Sequence, residues 1–482
     1  MEAFVYIDFM SKSVKRVVKN SFFQTAGAFA NSVINFVLAL GYARFLGPEN
    51  YGSLVTSQAQ VLVWLSLVDL GLSNSLISAL TSAEGGRTDI SRQGFRARDL
   101  LFRVLFLRMV GAVLGTIAAF TVAWLRFGDT PAQFWQEVAF TPYLFALGLQ
   151  ATAIAYSAYM HKQGLSVLAT LAGMVLTTSL TLTLAWHGAG VQWLLLSQSW
   201  GGLLSAAIIF GYFFVQFWAR RKAGATRRLQ RMKFRPRGSE WGSKAWFALF
   251  RDAWPYAIAY GVMVLWQRLD QLAASNILGL AAGGQYALAV RLASVPVLVA
   301  TSISVAIFPD LQRVGRDAPH RVRLILGSLC KAVYRYGIPV VALMVAGIGL
   351  VIVPLVPKFR PALWLLPHFL PGIWAFWLQS FITNSLFGLR AYKESVKVHV
   401  FSLVVYVACV FSLPHVFGLP GVVWAFNMFC LSMCFFGFRA ARRVGLFEKG
   451  FVVYGAYTPE ESQLLDRSGI FSFFRRPGKG TA

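Results

Sequence analysis

Apolar stretches of roughly 20 residues recur along the whole chain, each long enough to cross a hydrocarbon core of about 30 Å as a helix. Lipid offers backbone N–H and C=O groups no partner, so segments of this kind must satisfy their own hydrogen bonds as helices. Composition agrees: of 482 residues, 57% are hydrophobic and only 13% are charged. The mean hydropathy is +0.58. Ser21 to Gly41 is too long an apolar stretch for a signal peptide, and it runs directly into a second span; it is the first helix. Cys330, Cys409, Cys430 and Cys434 fall in or beside spans without metal-ligand spacing, so no disulfide, zinc site or other cofactor is expected.

Hydropathy read against Pro, Gly and charge predicts twelve spans. They cover residues 21–43, 53–80, 104–124, 138–160, 163–186, 190–218, 253–278, 283–308, 332–355, 362–389, 397–415 and 420–438. With the amino terminus in the cytoplasm, only Arg44, Arg126, Lys358 and Arg360 fall on the far side, while Arg108, Arg268, Arg291 and Arg335 lie within spans or at their edges. The rest of the 45 Lys and Arg fall on the near side, eleven of them between Arg220 and Arg251. This asymmetry places both termini in the cytoplasm. It also explains the net charge of +26: the basic run is an orientation signal that meets anionic headgroups, and the partners it implies are membrane lipids, not nucleic acid.

The basic segment divides the spans evenly. The expected organisation is an N-lobe at 1–219, a basic linker at 220–251, a C-lobe at 252–445 and a cytoplasmic tail at 446–482. A short repeat crosses the divide. Leu46-Gly47 followed by Tyr51-Gly52 joins the first two spans, and Leu278-Gly279 followed by Tyr286-Ala287 joins the seventh and eighth. The fold class that follows is an all-α integral membrane protein of about twelve transmembrane helices, in two six-helix lobes around a central cavity.

Several segments carry a resemblance. Ala43-Arg44-Phe45-Leu46-Gly47 to Tyr51-Gly52, Asp69-Leu70-Gly71-Leu72, Arg268-Leu269-Asp270, Tyr286-Ala287-Leu288-Ala289 with Arg291, and Phe308-Pro309 occur in this order. Over residues 20 to 440 the chain resembles the polysaccharide-transporter branch of the multidrug/oligosaccharidyl-lipid/polysaccharide exporter superfamily. The resemblance implies a flippase in a bacterial inner membrane. Its expected substrate is an undecaprenyl-pyrophosphate-linked oligosaccharide, moved from the cytoplasmic to the outer leaflet by alternating access. The expected partners are that substrate and assembly proteins such as a polysaccharide polymerase. The branch shares no catalytic motif, so no catalytic residue is carried over.

Ionised groups in the membrane need a partner or a wet cavity, which makes the polar residues inside spans informative. Gln24, Asn31, Asn35 and Tyr42 lie on one face of the first helix, and Tyr51, Gln58 and Asp69 on one face of the second. Two readings fit: interhelical hydrogen bonding, or the lining of a saccharide cavity. Two stripes on adjacent helices favour the cavity. Counted from the turn near Ala281, Asp270 and Arg291 lie at matched depth, about 16 Å in. They fit a structural ion pair, or a cation site in which Arg268 or Arg291 meets the pyrophosphate. Trp374 is a candidate sugar-facing aromatic, with Trp377, Gln379 and Asn384 nearby. Asp69 and Asp270 are the candidates for ion coupling.

Two other functions compete with a flippase. A multidrug cation antiporter would favour a cavity rich in carboxylates, and this chain sets Arg268 and Arg291 beside few acids. A membrane glycosyltransferase or polymerase would need a sizeable outward loop with catalytic side chains. The longest outward loop runs only from Leu125 to Val138, and no catalytic constellation accompanies it, so an enzyme is not expected.

Overall fold

The computed structural model describes residues 2–73, 76, 97–160, 162–222, 243–317, 319–352, 356–389 and 391–446. Most of the basic linker and the tail from residue 447 lie outside the described residues.

The first helix, α1, runs Glu2–Leu62 and contains Gly47 at φ 73, followed by Pro48. At about 1.5 Å per residue, 61 residues in a straight line would span roughly three membrane cores, so the chain has to turn. Gly47 makes the turn, because only glycine takes a left-handed backbone without cost. Pro48 starts the next arm in the first turn of a helix, where no N–H is required.

After a break at Trp64 come the short α2 (Leu65–Asp69) and then α3 (Ala97–Phe127), α4 (Pro131–Val138), α5 (Pro142–Tyr159), α6 (Gln163–Trp186) and α7 (Val191–Lys222). The second half has α8 (Ser243–Leu278), α9 (Leu280–Asp317), α10 (Pro319–Ile352), α11 (Arg360–Leu365), α12 (Leu370–Gly388), α13 (Tyr392–Phe417) and α14 (Leu419–Arg443). Between α8 and α9 sits Gly279 at φ 96, the counterpart of Gly47. The short repeat is therefore a repeated turn, glycine-broken in both halves.

Ten helical stretches among the described residues are long and apolar enough to cross a membrane, so the chain is a multi-pass membrane protein. Twelve were expected, and two features separate the counts. Phe29–Asp69 is taken as one stretch of 41 residues although Gly47 breaks it. α8 is absent from the ten; it carries Gln267, Arg268, Asp270 and Gln271 within five residues, which dilutes its hydropathy.

Helices of each half pack mainly on one another: α5, α6 and α7 together, and α12, α13 and α14 together. The halves meet where α1 lies against α9 and α8. That contact is backbone on backbone. A Cβ on Gly52 would strike the carbonyl of Leu280 and the N–H of Gly284, and a Cβ on Gly284 would strike the carbonyl of Pro48. Small residues of this kind let membrane helices approach closely where side chains would hold them apart. Polar side chains fasten the same junction. Thr56 Oγ1 and Ser275 Oγ are hydrogen-bonded at 2.6 Å across the halves, and Arg126 of α3 donates to Asn276 Oδ1 of α8 at 2.7 Å. Tyr51 is buried beside this contact, edge-on to Phe359 with ring centroids 6.0 Å apart.

Candidate functional site

One turn beyond that closed junction, the halves separate around a cavity of about 270 Å³. The first half contributes Val55, Gln58 and Ala59 from α1. α8 and α9 contribute the charged wall, including Arg268, Asp270 and Arg291, and Trp266, Phe369, Phe376 and Phe426 add aromatic lining. The cavity lining is therefore amphipathic, with charged and aromatic side chains together.

Its charge balance follows from how Asp270 is held. Asp270 Oδ2 accepts a 2.7 Å hydrogen bond from the Tyr286 hydroxyl, and Oδ1 accepts one of 2.7 Å from the backbone N–H of Gln271. The ion pair with Arg291 considered from sequence does not form. Matched depth along two helices fixes height but not azimuth, and Tyr286, buried and fixed at the start of α9, takes the carboxylate first. Arg268 is half-buried, Arg291 is exposed to the cavity, and neither pairs with a carboxylate among the described residues. The two guanidinium groups also lie within electrostatic range of each other. Asp270, held by Tyr286, offsets part of this repulsion from a distance, and an anion between the two guanidinium groups would relieve the rest.

Asp69 has a different fate. The backbone breaks around it, with Leu70 at φ 43 and Gly71 at φ 69. Left-handed backbone at a leucine costs about 1–2 kcal/mol, and non-helical backbone at membrane depth persists only where protein or water covers it. Here it turns Asp69 onto Arg108 of α3, whose Nη2 lies 2.5 Å from Asp69 Oδ1 and 2.6 Å from Ser73 Oγ. Arg108 Nη1 donates to Thr152 Oγ1 of α5 at 2.8 Å, and the Arg108 side chain is fully buried.

The structure brings together Arg268, Arg291, Gln58 and Asp270 of the residues singled out from sequence. Asn31 and Asn35 of α1 are half-buried and do not line this cavity, and Asn31 Oδ1 is buried without a partner. The side chain of Gln24 lies outside the described residues. Part of the polar stripe serves as interhelical bonding: Gln58 Nε2 donates to Gln198 Oε1 at 2.8 Å, and Gln198 Nε2 donates to the Tyr42 hydroxyl at 3.2 Å, tying α1 to α7. Trp374 is spent on packing, its Nε1 donating to the Val333 carbonyl at 3.3 Å, and Trp377 Nε1 likewise donates to the Pro296 carbonyl at 3.1 Å.

Sequence comparison now bears on this arrangement. A family model described as "Polysaccharide biosynthesis protein" matches residues 17–314, more than half of the chain and all of the elements from the first glycine turn through the charged wall. The chain belongs to the polysaccharide biosynthesis protein family. No curated protein matches it significantly by sequence. Among solved structures it is similar to the lipid II flippase MurJ in an inward closed conformation, with a TM-score of 0.62, 11% identity and 87% of each chain covered. An inward-facing multidrug resistance MATE family transporter of the MOP superfamily matches with a TM-score of 0.62 and 15% identity, covering 86% of this chain and 94% of that one. A mutant of the Vibrio cholerae MATE transporter VcmN matches at 0.57 and 14%, covering 90% and 97%. At such identities the likeness establishes the fold, that of two-lobe transporters.

In this polysaccharide biosynthesis family member, sequence reasoning missed two residues that matter. Arg108, counted only among the basic residues within spans or at their edges, is the buried partner of Asp69. Its signal was an arginine among apolar residues in an otherwise clean span. Trp266, two residues before Arg268, is the tryptophan that lines the cavity, stacked on Phe429 with ring centroids 5.1 Å apart. Spacing gave no reason to prefer it to Trp374.

Proposed function

We propose that the protein is a flippase for a lipid-linked oligosaccharide in surface-polysaccharide biosynthesis. It moves an undecaprenyl-pyrophosphate-linked glycan from the cytoplasmic to the outer leaflet of a bacterial inner membrane by alternating access, with both termini cytoplasmic and the halves rocking as lobes. Arg268 and Arg291 hold the pyrophosphate, Gln58 bonds the first sugar, and Asn31 and Asn35 line its path. The observation that carries this reading is the pair of arginines opening into the inter-half cavity with no carboxylate partner among the described residues. Guanidinium forks match phosphate oxygens bidentately and stay charged when partly desolvated. The aromatic wall of Trp266, Phe376 and Phe426 suits the first isoprene units or a sugar face. A pyrophosphate diester carries about two negative charges, and each is worth about 2.3 kcal/mol per 100 mV, so an inside-negative potential favours outward movement. Asp270 is the candidate for coupling an ion.

The same cavity argues against a drug-cation antiporter, since two arginines against one tyrosine-bound aspartate repel an organic cation. Reconstitution tests the choice. Proteoliposomes holding the protein should flip a fluorescent undecaprenyl-pyrophosphate oligosaccharide, read by its accessibility to a membrane-impermeant quencher, and should not accumulate a cationic dye. Dye transport without lipid flipping would overturn the proposal.

A further inference from the structure

Away from the cavity, α13 begins and α14 ends beside a groove of about 220 Å³. Its walls are Phe401 of α13 and Phe436 of α14, with ring centroids 5.6 Å apart. Its rim holds Lys397, Arg439 and Arg443 against one acid, Glu394. Glu394 accepts from Lys397 at 2.6 Å and lies 3.6 Å from Arg443, so its single charge is shared by two cations. Arg439 is exposed and has no partner among the described residues. Among the described residues the rim thus carries a surplus of positive charge.

Position distinguishes this groove from an ordinary surface cleft. Glu394 stands in the first turn of α13 and Arg443 is the last residue of α14, so the charged rim lies at the end of two spans, where headgroups lie. Phe401 and Val404, exposed on α13, continue from the rim toward the membrane interior as an apolar track. A cationic rim above an apolar track matches an amphiphile with an anionic head and an acyl chain. We infer that this groove is a binding site for an anionic glycerophospholipid of the surrounding bilayer. The phosphate lies against Arg439 with Lys397 and Arg443, and one acyl chain lies along Phe401 and Phe436. A zwitterionic lipid would bring its own cation to the rim and lose the advantage, and free phosphate would leave the aromatic walls uncovered.

Titration of lipids onto the full-length protein, read by native mass spectrometry, tests this independently of transport. Phosphatidylglycerol should bind more tightly than phosphatidylcholine. Arg439→Gln should weaken phosphatidylglycerol binding about fivefold, the order expected for one basic residue at a charged membrane surface, and Arg439→Gln with Arg443→Gln should weaken it further. Phe401→Ser should also weaken it, because the acyl chain loses its wall. Arg360→Gln, on a basic residue far from the groove in sequence and not among its lining, should change nothing. The inference is overturned by any of three results: phosphatidylcholine binding as tightly as phosphatidylglycerol, the double variant retaining full affinity, or inorganic phosphate displacing the lipid at equal concentration. All the altered side chains are exposed, so loss of folding will not mimic loss of binding.

Discussion

Each half of the protein places an aspartate and arginine inside the membrane, and the two halves use them in opposite ways. In the first half Asp69 and Arg108 close on each other, and Ser73 and Thr152 take up further guanidinium hydrogens. In the second half Asp270 closes on Tyr286, and Arg268 and Arg291 are left facing a cavity. The residue types are the same, so type alone does not mark a site. What decides is whether the carboxylate reaches a cation or a neutral donor first. A paired arginine is a brace between α2, α3 and α5. One without a carboxylate partner among the described residues is, on the proposed reading, a receptor for an anion.

The largest effect should come from breaking the brace. Arg108→Leu leaves Asp69 buried without its cation, and loss of one member of a desolvated pair costs about 3–5 kcal/mol. Membrane abundance and thermal stability in detergent should both fall sharply. Arg108→Leu combined with Asp69→Leu should recover part of the loss, since no lone charge then remains. If Arg108→Leu is produced at normal levels while flipping is lost, Arg108 belongs with the receptor arginines and the contrast between halves disappears.

The receptor arginines should behave in the opposite sense. Arg268→Ala and Arg291→Ala should each leave abundance near normal, because neither strands a carboxylate, and should reduce substrate affinity. A hydrogen bond to a charged group contributes about 1.5–3 kcal/mol, or roughly 10- to 100-fold in binding. Concentration dependence of flipping in proteoliposomes measures it. Arg268→Lys should recover little if bidentate geometry matters, and more if charge suffices. A drop in the abundance of Arg291→Ala that Asp270→Ala reverses would mean that the ion pair forms after all.

How far these roles were legible in the sequence depends on the distance over which each is decided. Helices and their turns are local: hydropathy marks the spans, and Gly47 and Gly279 mark the breaks because only glycine accepts their φ. The charged wall was partly legible, since Arg268, Asp270 and Arg291 flank one turn and their heights follow from helical rise. Their azimuths do not follow from it, and so Tyr286 was overlooked as the partner of Asp270. The Asp69–Arg108 brace joins residues 39 apart across an irregular backbone at Leu70 and Gly71, which no helical periodicity projects. Trp374 and Trp266 look alike in sequence and differ only in what packs on them. Contacts between helices, not patterns along them, made the difference.

The smallest change tests the finest point of the contrast, the single hydroxyl that holds Asp270 away from the arginines. Tyr286→Phe keeps the ring that packs against Phe369, with centroids 6.3 Å apart, and removes only the donor to Asp270 Oδ2. Because Asp270 lines the cavity, water substitutes for the lost partner, and the cost should stay near the net value of one hydrogen bond, about 1 kcal/mol. Thermal stability should therefore shift only slightly. Transport should respond more. A carboxylate freed on one oxygen competes with the substrate phosphate for Arg268 and Arg291, so apparent substrate affinity should fall although both arginines are intact. Adding Asp270→Asn to Tyr286→Phe removes the competing charge and should restore affinity toward that of the unaltered protein. Such a rescue would show that the cavity's cationic character depends on where Asp270 is tied. If Tyr286→Phe flips normally, the hydroxyl serves packing order alone, and the second half keeps its arginines open by some contact other than this one.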